Sequence, residues 1–141
     1  MKYLALDIGE KRIGVARSDD SGIIATPIGI IEVDEDVMKN LSSIIKEENI
    51  ECIVFGIPKH QNGSENKFAA DIRKMAEIIK NEFSVNVDFE DEYGSTKIAE
   101  ERLRKAGKSP REIKKYDDAF AAEVILESYL ARQKWLGKIK I

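Results

Sequence analysis

Cysteine and histidine are almost missing from this chain: Cys52 and His60 are the only examples in 141 residues. One cysteine makes no internal disulfide and no cysteine-based zinc cluster. Cys52 opens the apolar run Cys52-Ile53-Val54-Phe55, which suits a buried, inert thiol better than a nucleophile. A Ser-His-Asp mechanism would have to pass through His60, and no nucleophile signature lies near it. Long apolar runs are missing too. No stretch is long enough to cross a membrane, and no signal-peptide pattern is present. A cytoplasmic protein without membrane contact is the expectation. Excess positive charge is also absent. The chain carries 23 Lys and Arg against 26 Asp and Glu, a net charge of −3. That argues against an overall basic coat for nucleic acid and leaves room for local basic patches.

What remains is ordinary for a globular protein, with 43% hydrophobic and 35% charged residues. The length allows one domain with a real core, so a single domain over 1–141 is expected. Tyr3 to Leu6 reads as a buried strand ended by Asp7. Gly9 makes a turn, and Arg12 to Ala16 reads as the second strand of a hairpin. Asp7 has two readings here: it satisfies the turn's own N–H groups, or it faces a ligand at the rim of the sheet.

Ile23 to Val33 reads as a third strand with an irregularity at an edge, where Pro27 is tolerated. Asp34 is the expected cap of a helix through Val37, Leu41, Ile44 and Ile45 that ends near Asn49. Glu51 to Ile57 reads as a central strand covered on both faces, stopped by Pro58. A polar turn with Lys59, His60 and Gly63 follows. Ser64 or Asn66 then caps a helix carrying Phe68, Ile72, Met75, Ile79 and Phe83. Val85 to Phe89 alternates as a strand and runs into Glu90-Asp91-Glu92. Three acids at a strand end repel one another unless a cation lies among them; a solvated acidic turn is the other reading.

Ser95-Thr96 caps a helix through Leu103, and Asp117-Asp118 is read as opening the last helix. There Asp118, Ala122, Ile125 and Tyr129 fall on one face. The span from Arg102 to Lys115 holds seven basic residues, Lys108 and Arg111 among them. It is the best candidate to touch a polyanion; an ordinary flexible surface loop is the other reading. The element order predicts a mixed sheet with helices on both faces.

If the first and last strands are neighbours, Asp7, Glu92 and Asp118 can converge at one edge. Such hard oxygen ligands suit Mg²⁺ or Mn²⁺. That chemistry cleaves phosphodiesters without histidine or cysteine.

The segment Asp7-Ile8-Gly9-Glu10-Lys11-Arg12-Ile13-Gly14-Val15-Ala16-Arg17-Ser18-Asp19 resembles the opening motif of the YqgF/RuvX family of candidate Holliday junction resolvases, also described as pre-16S rRNA nucleases. Gly56-Ile57-Pro58 with Gly63 resembles its middle motif. Asp91-Glu92 with Ser95-Thr96 resembles its Asp-Glu-Arg-x-Ser/Thr-Thr motif, and Asp118 to Leu130 resembles its C-terminal helix. The resemblance covers nearly the whole chain, in order. It implies an α/β, RNase H-like fold whose five-stranded sheet runs 3-2-1-4-5. It implies a metal-dependent nuclease acting on pre-16S rRNA or branched DNA, in contact with the ribosome in the first case, as a monomer or homodimer. Asp7, Glu92 and Asp118 would be the catalytic carboxylates that bind Mg²⁺ or Mn²⁺. Asp91 would be an auxiliary acid, and Asp117 is the neighbour of Asp118, for which capping the helix is the other reading. Arg12 and Lys59 would contact phosphate. Tyr93 stands where the family usually has Arg, which touches substrate preference more than metal binding. Two competing readings are a nucleic-acid or ribosome-associated binding module with little catalysis, and a phosphate loop like that of actin-like ATPases.

Overall fold

The computed structural model describes residues 1–58, 64–92 and 95–139, without the side chains at 95–97, 99, 114–117 and 138–139. Its elements are β1 (Tyr3–Ile8), β2 (Arg12–Ser18), β3 (Ala25–Glu32), α1 (Val37–Glu47), β4 (Cys52–Ile57), α2 (Lys67–Phe83), β5 (Asn86–Asp91), α3 (Ser95–Lys105) and α4 (Pro110–Ile139). The sheet order is β3-β2-β1-β4-β5, as the resemblance implies. The first three strands form an antiparallel meander, while β1 with β4 and β4 with β5 are parallel.

The β1–β2 hairpin closes where the Gly9 N–H donates to the Arg12 carbonyl at 2.9 Å. A Cβ on Gly9 would stand 2.7 Å from that oxygen, so only glycine fits the turn. β1 extends past its expected end, and Asp7 pairs with Gly14 inside the ladder. Asp7 is therefore a strand residue and not a strand terminator. The irregularity expected in β3 is a register shift between Val15 and Ala16, opposite Gly29 and Pro27, with Gly29 at φ 143°. β3 is an edge strand, so the missing N–H of Pro27 costs no interior pairing.

Alternation along the strands divides the interior into two faces. Leu4, Leu6, Ile8, Ile13, Val15, Ile53, Phe55 and Ile57 point to one face. There they bury Leu41 and Ile45 of α1 and Ile72, Ala76 and Ile79 of α2. Each of the large side chains contributes about 1.5–3 kcal/mol by leaving water. Ala5, Ala16 and Val54 point to the other face and meet Ala122, Ile125, Leu126, Tyr129 and Leu130 of α4.

Helix starts show where local chemistry was read correctly and where it was not. Asn66 caps α2, its side chain accepting from the Ala69 N–H at 2.9 Å. Asp34 does not cap α1. Its Oδ1 accepts from the Asp36 N–H at 2.9 Å and holds the turn ahead of the helix, which begins only at Val37. The larger correction concerns α4, which starts at Pro110 and places Asp118 well inside the helix. The Ser109 hydroxyl accepts from the Glu112 N–H at 3.3 Å, and the Glu112 side chain accepts from the Ser109 N–H at 3.4 Å. This reciprocal cap, with proline at the first helical position, sets the start upstream of the two aspartates.

Candidate active site

Asp7 lies on the α4 face of β1, because it alternates with Leu6 and Ile8, which point to the α1 and α2 side. On that same face the neighbouring strands carry glycine. Gly14 stands directly beside Asp7 in the β1–β2 pairing. A Cβ there would fall 1.9 Å from the Asp118 carbonyl oxygen. The α4 backbone thus lies directly on β2, and only a residue without a side chain permits it. Gly56, on β4, does the same for the other acid. Its Cβ would stand 2.6 Å from Ile125 Cδ1 and 2.8 Å from Glu92 Oε2.

Glu92 follows β5 by one residue. Its N–H donates to the Ile57 carbonyl at 3.1 Å, which extends the parallel ladder and fixes where the side chain leaves the backbone. Burial first, and the Asp7 carboxylate second, push the Glu92 carboxyl up to about 8; a hydrogen bond to Asp7 adds to this. Glu92 Oε2 is buried and receives no donor among the described residues. The two facts describe one situation. When both carboxyls are ionised, neither has a proton to give, and two negative charges meet in a dry place. A shared proton relieves this, and so does a cation. Two hard oxygen donors, one of them buried and unsatisfied, fit Mg²⁺ or Mn²⁺.

Asp118 does not complete the cluster. Its Oδ2 accepts at 3.1 Å from Nε of Arg12, the first residue of β2. Among the described residues no three Asp, Glu, His or Cys side chains come together closely enough to hold one ion. The expected convergence is realised for Asp7 and Glu92, while Asp118 is held by a cation on the same side of the sheet. Arg12, expected on phosphate, is engaged by that carboxylate.

The run Glu90-Asp91-Glu92 is not a cluster either: the pleat turns Asp91 to the opposite face, and Glu90 is engaged by side chains of α4. Glu90 accepts from the Ser128 hydroxyl at 2.7 Å and from Arg132 Nε at 2.9 Å. Asp88, on the same face, accepts from the Tyr129 hydroxyl at 2.7 Å. Asp91 is exposed and acts on Arg73, on the α2 side. Each acid therefore has its own surroundings, and the mutual repulsion expected of the three is relieved by geometry.

Four basic residues of the stretch face acids of the chain. Arg102 pairs with Glu127 at 2.8 Å, Arg104 and Lys105 pair with Glu101, and Lys108 Nζ stands 3.8 Å from Glu112. Arg111 has no ion-pair partner among the described residues and is exposed. Lys59, His60, Gly63, Tyr93 and the Asp117 side chain lie outside the described residues. Cys52 is buried, and burial pushes its thiol up to about 11, as befits an inert group.

The pattern Ser109-Pro110-Arg111-Glu112 signals the true start of α4 and escaped the sequence reading. Nothing in the sequence signals the Arg12–Asp118 pair, whose members are 106 residues apart.

The family model RuvX, described as Holliday junction resolvase, matches residues 1–132. A candidate pre-16S rRNA nuclease of Leuconostoc mesenteroides is 39% identical over 143 residues, covering 98% of this chain and 100% of the relative. One from Fusobacterium nucleatum is 40% identical over 136 residues, covering 94% and 99%. Among solved structures, the fowlpox virus resolvase in complex with its substrate Holliday junction DNA superposes with a TM-score of 0.59 at 15% identity, covering 94% of this chain and 99% of that one. Thermus thermophilus RuvC in complex with a Holliday junction substrate gives 0.56 at 12%, covering 95% and 96%. At these identities the likeness is one of fold, and the fold is the RNase H-like one of those resolvases.

Proposed function

Because this chain belongs to the RuvX family, we propose that it is a nuclease that hydrolyses phosphodiester bonds in structured nucleic acid, in 16S rRNA 5′-end maturation or in junction resolution. The observation that carries this reading is the Asp7–Glu92 pair. Two carboxyls meet over glycine-lined backbone, and one oxygen is buried without a partner among the described residues. A structural role would have given that oxygen a donor. A hydrolytic site with hard-cation chemistry accounts for leaving it open.

Asp7 and Glu92 would hold Mg²⁺ or Mn²⁺, with Asp118 as the third carboxylate. When bound, such an ion supplies Lewis-acid activation of the phosphodiester and of the attacking water. The chain's own contribution is placement. The ladder bond from Glu92 to Ile57 and the contact of Glu92 with Gly56 hold one acid. The β1–β2 ladder holds the other. Desolvation makes the Glu92 carboxyl a strong ligand and a poor surface charge. Lys59, Lys108 and Arg111 are proposed to meet the phosphate backbone beyond the cleaved bond, with binding that weakens as salt rises.

A cleavage assay with Mg²⁺ or Mn²⁺ tests the proposal, offering a pre-16S rRNA fragment and a four-way DNA junction side by side. The expected result is cleavage of one of them by the natural protein and none by Asp7→Asn. Cleavage that survives Asp7→Asn overturns the reading. Failure to cleave either substrate, with RNA binding intact, favours the binding module instead.

A further inference from the structure

Asp118 lies beside the candidate centre and yet outside it. Its backbone has no slack to close the gap, since its carbonyl oxygen already occupies the space where a Gly14 Cβ would be. What remains free to move is the carboxylate. Its partner among the described residues is Arg12, through the 3.1 Å contact from Nε. Both side chains are partly exposed, 47% for Arg12 and 32% for Asp118. An ion pair this open to water is worth at most a factor of about five in an equilibrium. It is strong enough to set a resting position and weak enough to be exchanged.

We propose that Arg12 is a positioning residue that holds Asp118 away from the Asp7–Glu92 pair until nucleic acid binds. The exchange is a simple swap of partners. A backbone phosphate takes the Arg12 guanidinium, which is well suited to phosphate. The Asp118 carboxylate, released, turns to the cation held by Asp7 and Glu92. Both partners gain from the swap, so cation and nucleic acid each raise the affinity for the other by the same factor. The consequence is that the third carboxylate is supplied only when substrate is present. This inference rests on the nuclease reading above and adds to it the order in which the site assembles.

The test reads Mn²⁺ binding by titration calorimetry, without any cleavage. In the natural protein Mn²⁺ should bind, and Asp7→Asn should abolish that binding. Arg12→Ala should then bind Mn²⁺ up to about fivefold more tightly, because Asp118 is released. Arg12→Gln repeats the measurement with a side chain that keeps the stem and a polar tip. In an Asp118→Asn background the gain should vanish. A short non-cleavable four-way junction should tighten Mn²⁺ binding in the natural protein and leave it unchanged in Arg12→Ala. The inference is overturned if both Arg12 variants bind Mn²⁺ no more tightly than the natural protein. It is equally overturned if the gain persists with Asp118→Asn, which would mean simple removal of a positive charge. No Mn²⁺ binding by the natural protein, or binding that survives Asp7→Asn, brings down the metal-site reading itself and the inference with it.

Discussion

The two faces of the sheet are built on opposite terms. The face toward α1 and α2 is filled with Leu4, Leu6, Ile8, Ile53, Phe55 and Ile57, and a helix pair covers it with aliphatic side chains. The face toward α4 is lined with Ala5, Gly14, Ala16, Val54 and Gly56 and carries Asp7 and Glu92 at its end. The first gains stability from volume. The second gives up volume so that one helix can lie against the strands and bring Asp118 near the acids. Stability and chemistry are thus assigned to different sides of one layer, and a substitution should reveal which side it struck.

Three substitutions sharpen that division. Phe55 is fully buried on the aliphatic face. Phe55→Ala should cost about 4 kcal/mol in urea unfolding, with Mn²⁺ affinity at Asp7 and Glu92 changed little wherever the protein remains folded. Gly14→Ala adds one methyl on the other face, where it would strike the Asp118 carbonyl. It should cost roughly 2–3 kcal/mol and, unlike Phe55→Ala, should also weaken Mn²⁺ binding, because α4 must shift away from Asp7. Glu92→Gln is the smallest change and has the opposite sign. It removes one of two like charges in a dry place, so the metal-free protein should gain about 1 kcal/mol while cleavage is lost. Unfolding scans in a chelator measure the gain. A Glu92→Gln protein less stable than the natural one would show that the pair is not strained, and the contrast between the faces would fail.

How much of this was legible in the sequence follows from the range of each interaction. Strands and helices announced themselves through periodicity, as in the apolar run of β4 and the spacing of Ile72 and Ile79 in α2. Sheet order came from family resemblance and agrees with the structure. Helix starts were less legible. Asp34 and Asp117-Asp118 both have the chemistry of a cap, and in each case a different residue won: the helix of Asp34 begins later, and that of Asp118 begins at the Ser109–Glu112 box. Within the site, Asp7 and Glu92 were legible as acids near the ends of β1 and β5, the two strands that flank β4. The resting place of Asp118 was not, because it depends on the distant Arg12. Nor could composition reveal that the basic residues near α3 already face acids of their own.

One feature of the sheet bears on how copies of this protein can meet. Its two outer strands are both blunted, by different means. On β3 the proline and the shifted register at Gly29 spoil the regular row of donors and acceptors. On β5 the Arg132 guanidinium donates to the Phe89 carbonyl at 3.1 Å and occupies an acceptor that a further strand would need. A neighbouring chain finds no clean template on either border. Fibre growth by strand addition is therefore disfavoured at both ends of the sheet.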